Sequence, residues 1–270
     1  MTILWPIALI TFKEGVRNRA VYAISLFALS LLVANIFISN MIMQDVGKVA
    51  VDMALSTVSL SGLLLVLFVG INLMAKDLDK RTIYVVMSRP ISRQQYIIGK
   101  FLGMVMLILL TLCILSIFAL LSILMVKMST SGHFERFSWL LVLLAIGFIA
   151  LSLILLTAIS FLFSSFASTS FITLVLTIIT YLIGQSLGNV RALVEAPLAS
   201  GIQVSMVTVT LVKTAYYIFP NLALFNIKTQ AAHGLPVSSS YIFWTVVYGL
   251  VYTSLVIFLS ALAFRKREFP

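Results

Sequence analysis

The stretch "WLLVLLAIGFIALSLILLTAISFLF", residues 139–163, contains 25 consecutive residues without a charged side chain. About 20 apolar residues in a helix are enough to cross a hydrocarbon core of roughly 30 Å. The stretch is too long and too uniformly apolar for a strand of a membrane barrel, whereas a helix pairs all its backbone polar groups internally. It therefore predicts a transmembrane helix.

The rest of the chain repeats this pattern. Of 270 residues, 61% are hydrophobic and 10% are charged, whereas soluble proteins are about half apolar and about a quarter charged. The sequence predicts an all-α integral membrane protein with one transmembrane domain, residues 1–270, and six transmembrane helices. The predicted spans are residues 20–40, 55–75, 101–126, 139–163, 170–187 and 241–264.

The distribution of lysine and arginine predicts the orientation. If the amino terminus is cytoplasmic, 12 basic residues fall on cytoplasmic segments and 6 on outer segments. This asymmetry satisfies the positive-inside rule and places both termini in the cytoplasm. The net charge of +10 is then explained by topology and by contact with anionic membrane lipids, so nucleic acid is not an expected partner.

Residues 1–19 are expected to form an amphipathic helix before the first span. Its apolar face comprises Trp5, Leu9, Phe12 and Val16. Its polar face carries Lys13, Glu14 and Arg17. Two roles remain open for this helix, a simple anchor for the first span and a docking element.

The segment between the second and third spans, residues 76–100, holds six of the eighteen basic residues. Pro90 should interrupt any helix there, because the residue before a proline is pushed out of the helical region. Ser92 and Gln95 have the spacing of a capping box and predict a new helix leading into the third span. Gly99 and Gly103 form a small-xxx-small pair that allows a neighbouring backbone to approach closely.

The segment between the fifth and sixth spans, residues 189–238, is the longest outer segment. A seventh span over residues 202–222 would carry Lys213 near its centre, which makes its insertion about neutral in free energy. Re-entrant or interfacial helices are therefore expected here instead. Gly184 and Gly188, at the end of the fifth span, are candidates for a dimer interface, although such pairs also occur by chance. Cys113, in the third span, is expected to be a buried thiol.

Signatures of catalysis are missing from the sequence. It has no HExxH, GxxxxGK[ST] or CxxC motif, so the chain is not expected to be an enzyme or to bind a metal or cofactor. The predicted spans also lack an acidic or basic relay of the kind that ion-coupled carriers use. If the protein moves a substrate uphill, we expect the energy to come from a partner.

The segment "KDLDKRTIYVVMSRPISRQQYIIGKFLG", residues 76–103, resembles the permease subunits of type-2 ABC exporters. Within that class it resembles the branch of multi-copper enzyme maturation permeases, which includes the membrane subunit of the nitrous oxide reductase maturation exporter. Residues 216–234 and the basic ending "FRKREF" resemble the same branch, as does the amphipathic start. Relatives often place Glu where this chain has Asp77 or Asp79, which leaves open which acid matters.

The resemblance implies a subunit of a bacterial or archaeal cytoplasmic (inner) membrane. It implies two copies of an ABC ATP-binding subunit that hold ATP and Mg, and a second permease, either another copy of this chain or a relative. Residues 1–19 would be the connector helix, and the loop would hold a coupling helix. The ATPase-coupling residues implied are Asp77, Asp79, Arg81, Thr82, Ile83, Val86, Met87, Ser88, Arg89, Pro90 and Arg93.

Three functions are consistent with these features. The first is export of a substrate driven by the separate ATPase. The second is mechanotransmission, in which the subunit passes ATPase-driven motion to an extracytoplasmic accessory protein without conducting a substrate. The third, a channel or carrier that acts alone, leaves the charged loop unexplained. The sequence does not identify the substrate.

Overall fold

The computed structural model of the protein describes residues 4–41, 45–74, 92–129, 137–167, 169–195, 210, 214 and 219–266. These residues are predominantly helical, and no strand occurs among them. The helices are α1 (Leu4–Val16), α2 (Arg19–Met41), α3 (Val46–Leu64), α4 (Arg93–Ser129), α5 (Trp139–Phe166), α6 (Ser170–Glu195), α7 (Lys228–His233) and α8 (Ser239–Lys266). A π-helical segment, Leu65–Gly70, extends α3, and a 3₁₀ helix, Leu222–Phe225, precedes α7.

Six helices are long and apolar enough to cross a membrane, as predicted. The candidate spans are Arg19–Ser39, Val46–Met74, Arg93–Ser129, Trp139–Phe166, Ser170–Gly188 and Ser239–Arg265. The α3 span continues through the π-helical segment to Met74, and α4 begins at Arg93. The end of the bundle that carries Met74 and Arg93 is called the loop end here, and the other end is called the far end.

Helix α4 lies at the centre of the bundle and packs against α1, α2, α3, α5 and α8. Near the far end, a buried polar cluster joins α2, α3 and α4. Asn35 Nδ2 donates to the Ala50 carbonyl at 3.0 Å and to Ser122 Oγ at 3.3 Å, while Ser39 Oγ donates to Asn35 Oδ1 at 3.1 Å. Hydrogen bonds of this kind hold membrane helices together where the hydrophobic effect cannot.

The prediction for Cys113 is wrong. The residue is exposed on α4 instead of being buried in the bundle. The buried stripe of α4 near this position contains Leu112, Leu115 and Ser116, and a helix turns about 100° per residue. The neighbouring position 113 therefore points away from the other helices.

The segment from residue 219 to His233 packs among the far-end halves of the spans. Its side chains at Leu222, Phe225, Ile227 and Ala231 are buried. Two tyrosines of α8 hold it in place: the Asn221 N–H donates to Tyr248 Oη at 2.9 Å, and Tyr241 Oη donates to the Leu224 carbonyl at 2.7 Å. The depth of this segment in a membrane stays a prediction, and the alternative seventh span falls mainly on residues outside the described ranges.

Candidate coupling region

Most of the predicted coupling residues, from Asp77 to Pro90, lie outside the described residues. Arg93, the first residue of α4, is described, and so are the two helix ends that flank residues 75–91. The contacts of these two helix ends determine which helices would move if the loop were displaced.

Helix α4 begins with the capping box that the sequence predicts. The Ser92 N–H donates to Gln95 Oε1 at 3.0 Å, and the Gln95 N–H donates to Ser92 Oγ at 3.2 Å. These two hydrogen bonds satisfy the backbone N–H groups of Ser92 and Gln95, which have no intrahelical acceptors at the start of a helix. The chain therefore enters α4 in a fixed conformation two residues after Pro90.

A buried lysine joins the two helices that flank the loop. Lys100 is 4% exposed, and its Nζ donates to the Leu73 carbonyl at 2.6 Å. The ammonium also lies 5.4 Å from the centroid of the Tyr96 ring, at cation–π distance. No sequence pattern predicts this contact, since Lys100 is one of six basic residues in the segment 76–100. The contact ties the end of the α3 span to the second turn of α4.

Arg93 holds the start of α4 against the end of α8. Its Nη1 donates to the Arg265 carbonyl at 3.2 Å, and Tyr96 stacks on Phe264 with ring centroids 6.1 Å apart. A cation at the carboxyl end of a helix interacts favourably with the unpaired carbonyls there. The predicted contact of Arg93 with an ATPase is untested, and in the protomer Arg93 already binds the last turn of α8.

Helix α1, the predicted connector, packs on the first turns of α4 through small residues. A Cβ added to Gly103 would lie 2.5 Å from the Ala8 carbonyl oxygen, and one added to Gly99 would lie 2.8 Å from Ile7 Cβ. A Cβ on Gly15 would meet Leu107 at 2.5 Å. The partner predicted for the pair of Gly99 and Gly103 is therefore α1. Absence of a side chain at these positions lets the two backbones approach closely.

The faces of α1 differ in burial and in side-chain size. Its buried face consists of Ala8, Thr11 and Gly15, because only small side chains fit at so short a helix–helix distance. Phe12 and Val16 pack at the edge of the core, Leu9 is half-buried, and Trp5 is 59% exposed. On the other side, Lys13 and Arg17 are exposed and Glu14 is half-buried. The exposed Trp5 side chain is free to contact lipid, and the role of this helix as a connector stays a prediction.

At the far end, Gly184 and Gly188 pack against the 3₁₀ helix of the same chain and Pro220, which precedes it. A Cβ on Gly184 would lie 2.7 Å from the Pro220 carbonyl oxygen and 2.9 Å from Leu222 Cγ. A Cβ on Gly188 would lie 3.0 Å from Ala223 Cβ. The neighbours found for this pair are therefore intramolecular, and its predicted role in a dimer stays a prediction.

A small polar cavity lies between α3, α5, α6 and the segment before α7. Its volume of about 30 Å³ is enough for one or two water molecules, since one needs roughly 10–15 Å³. The polar lining residues are Ser59, Ser152, Tyr181, Gln185, Asn226 and Lys228. Burial lowers the pKa of Lys228, and attraction to the Asp52 carboxylate opposes that shift. Among the described residues, no group of three His, Cys, Asp or Glu side chains could hold a metal ion.

Comparison with known proteins identifies the family. A family model described as ABC-2 family transporter protein matches residues 5–269. No curated protein matches the chain. Members of this family are transmembrane permease subunits, typically dimeric, that work with an ABC ATPase and are not themselves enzymes. Six apolar helices agree with a multi-pass protein of the cytoplasmic membrane. The chain therefore belongs to the ABC-2 family of transporter proteins.

Proposed function

We propose that this chain is the permease of an ABC-2 exporter in which a separate ATP-binding subunit docks on residues 75–91 and drives export of a substrate. The observation that carries the proposal is the connection at the base of this loop. Lys100 joins α4 to the α3 span, and Arg93 joins α4 to α8. A displacement of the loop would therefore move three spans together.

The proposed docking contacts follow from residue chemistry. Ile83, Val86 and Met87 would supply apolar contact, and Arg81 and Arg89 would pair with acids of the ATPase. Pro90 would stiffen the chain before the capping box at Ser92. Asp77, Asp79, Thr82 and Ser88 complete the coupling element, which the family resemblance assigns to this loop. Closure of two ATP-binding subunits would tilt the spans and open a path between two permeases.

We further infer the branch of multi-copper enzyme maturation permeases, with both termini in the cytoplasm. The motif over residues 76–103 supports the branch, and the excess of Lys and Arg on one side supports the orientation. If the branch is correct, deletion of the gene should lower the activity of an extracytoplasmic copper enzyme without lowering its transcript. Unchanged enzyme activity would contradict the assignment to this branch but would not contradict the proposal that the chain is an exporter permease.

The test of the coupling proposal is co-purification with the ATP-binding subunit through a tag on the permease alone. A variant with Met87→Asp and Arg89→Glu should lose the ATPase, because it removes an apolar contact and reverses a charge. A control with Met41→Asp and Lys48→Glu makes the same charge change near the far end and should retain it. The proposal fails if wild type brings down no ATPase or if the loop variant retains as much as the control.

Mechanotransmission is a second candidate, and the packing at the far end favours it. The segment around Phe225 contacts α5 and α8, and the cavity beside it holds only about 30 Å³. Such a firmly packed segment could pass movement of the spans to an accessory protein. The two functions differ in reconstituted vesicles: the exporter moves substrate with its ATPase alone, whereas a transmission subunit hydrolyses ATP without substrate movement.

A further inference from the structure

An open groove of about 640 Å³ lies at the loop end between α1 and the end of the α3 span. Its described lining residues are Ile10, Lys13, Glu14, Arg17, Asn18, Asn72 and Leu73, so charged and amide side chains lie beside apolar ones. The family resemblance assigns no ligand to it. We propose that this groove binds the phosphodiester of an anionic phospholipid from the surrounding bilayer.

The charges of the groove suit a monoanion. Lys13 and Arg17 supply two positive charges and Glu14 one negative charge, so the described lining residues carry a net charge of +1. A lipid phosphodiester carries one negative charge. The Arg17 N–H donates to the Lys13 carbonyl at 3.2 Å, so helical geometry continues past α1 and places both cations on one side. Neither cation forms an ion pair with another described residue.

The chemistry of the lining suits phosphate oxygens. A guanidinium binds two phosphate oxygens through parallel N–H donors, and an ammonium adds a compact positive charge. Asn18 Oδ1 accepts the Ala20 N–H at 3.0 Å, which fixes the amide and leaves its NH₂ group as a further donor. The groove therefore combines two cations and an oriented neutral donor.

The groove lies at the level where lipid head groups are found. The α2 span, Arg19–Ser39, has 21 residues, close to the roughly 20 that cross the hydrocarbon core. Arg17 and Asn18, immediately before it, are therefore at the boundary of that core. The opposite wall, Asn72 and Leu73, is at the end of the α3 span. Both walls consequently reach the boundary at the same end of the bundle.

Exposed apolar side chains of α1 and α2 suit the acyl chains of the same lipid. Ile10, which lines the groove, is 66% exposed, and Tyr22 and Leu26 on α2 are 61% and 71% exposed. An aromatic residue at the start of a span is typical of the membrane interface. A soluble anion would use the cations but would gain nothing from these apolar side chains, which is why we assign a bilayer lipid.

The test measures lipid binding to the full-length protein after its lipid has been removed in detergent. Binding is measured by intact-protein mass spectrometry, and its effect on stability is measured by thermal unfolding. Phosphatidylglycerol is compared with phosphatidylcholine of identical acyl chains and with inorganic phosphate. Wild type should bind phosphatidylglycerol in preference to phosphatidylcholine and gain thermal stability from it. Lys13→Gln with Arg17→Gln should weaken that binding about tenfold, since charge-assisted hydrogen bonds are lost.

Two further variants separate the groove from general charge effects. Lys48→Gln with Lys127→Gln removes the same charge near the far end and should bind as wild type does. Glu14→Gln removes the one acid among the described lining residues and should bind phosphatidylglycerol more tightly. Because Lys13 and Arg17 are exposed, their replacement should leave the lipid-free unfolding temperature unchanged.

Three results would overturn the proposal. One is equal affinity of the groove and far-end variants for phosphatidylglycerol. Another is an equal stabilisation by inorganic phosphate, which would indicate a site for free anions. The third is loss of the ATP-binding subunit from the groove variant with lipid binding intact, which would assign the groove to a protein contact. The two lipid-binding readouts do not depend on residues 75–91, so the coupling proposal can fail while the lipid proposal stands.

Discussion

The Lys100 ammonium lies 2.6 Å from the Leu73 carbonyl oxygen, so the α3 span and α4 are joined by a buried, charge-assisted hydrogen bond. The two residues are 27 positions apart, and the loop of residues 75–91 lies between them. A load applied to the loop must therefore pass through two helices that are already fastened together at its base.

Lys100→Met is expected to impair coupling more than stability. The substitution removes a hydrogen bond, and it also removes the desolvation cost of a buried charge, so the two effects on stability oppose each other. We expect the unfolding temperature to change little and ATP-driven transport to fall several-fold. Lys48→Met, a lysine paired with Asp45 near the far end, serves as the control. Full transport by the Lys100 variant would show that the contact is dispensable.

Gly103→Ala is expected to destabilise the packing of α1 on α4. The new Cβ would lie 2.5 Å from a backbone oxygen of α1, so the helix must move, and overpacking of this kind costs about 1–3 kcal/mol. Gly147→Ala is the matched control, because nothing lies within 4 Å of its added Cβ. It should be neutral or stabilising by up to about 1 kcal/mol. Thermal unfolding in detergent compares the two, and equal unfolding temperatures would contradict the described contact.

Gly184→Ala distinguishes contact within the protomer from contact between protomers. Because its Cβ would meet the Pro220 carbonyl at 2.7 Å, we expect a lower unfolding temperature and an unchanged dimer fraction. Gly188→Ala should have a smaller effect, since its Cβ would meet only a methyl group at 3.0 Å. A reduced dimer fraction with normal unfolding would instead support the dimer interface predicted from the sequence. Cross-linking in membranes measures the dimer, and thermal unfolding measures the protomer.

Lys228→Met should stabilise the protein in a pH-dependent way. Burial lowers the pKa of Lys228 below its ordinary value of 10.5, so the unfolded chain binds this proton more tightly. The cost of burying the charge is then largest below the lowered pKa and disappears as the pH rises towards 10.5. The stabilisation by Lys228→Met should therefore be greatest near neutral pH and shrink at alkaline pH. Thr229→Met, at an exposed neighbour, controls for the added side chain, and a pH-independent gain would refute the assignment to charge burial.

The six spans could be predicted because each one consists of a nearly uninterrupted apolar stretch, and membrane insertion depends on that property alone. The start of α4 could also be predicted, since Ser92 and Gln95 satisfy the backbone through local contacts. In the same way, Gly99 and Gly103 signalled a close neighbour, although a sequence cannot say which helix that neighbour is.

The contacts of the loop base could not be predicted, because they join residues far apart in the chain. Nothing near Lys100 indicates that it will reach the Leu73 carbonyl, and nothing near Arg93 indicates the last turn of α8. A charged residue beside a span is normally assigned to the water or the lipid head groups. Lys100 is buried because the end of the α3 span and the start of α4 lie side by side, and this arrangement depends on the tertiary fold.

Helix α4 is a continuous rod of 37 residues, about 55 Å long at 1.5 Å per residue. Its loop end is fastened to α8 by Arg93, and Ser122, near its far end, donates to the Leu32 carbonyl of α2. If such a rod tilts as a rigid body, it would act as a lever with two nearly equal arms. A tilt of about 10° around its midpoint would carry each end about 5 Å in opposite directions. A displacement of this size at one membrane surface would then be accompanied by an opposite displacement, wider than a water molecule, at the other surface.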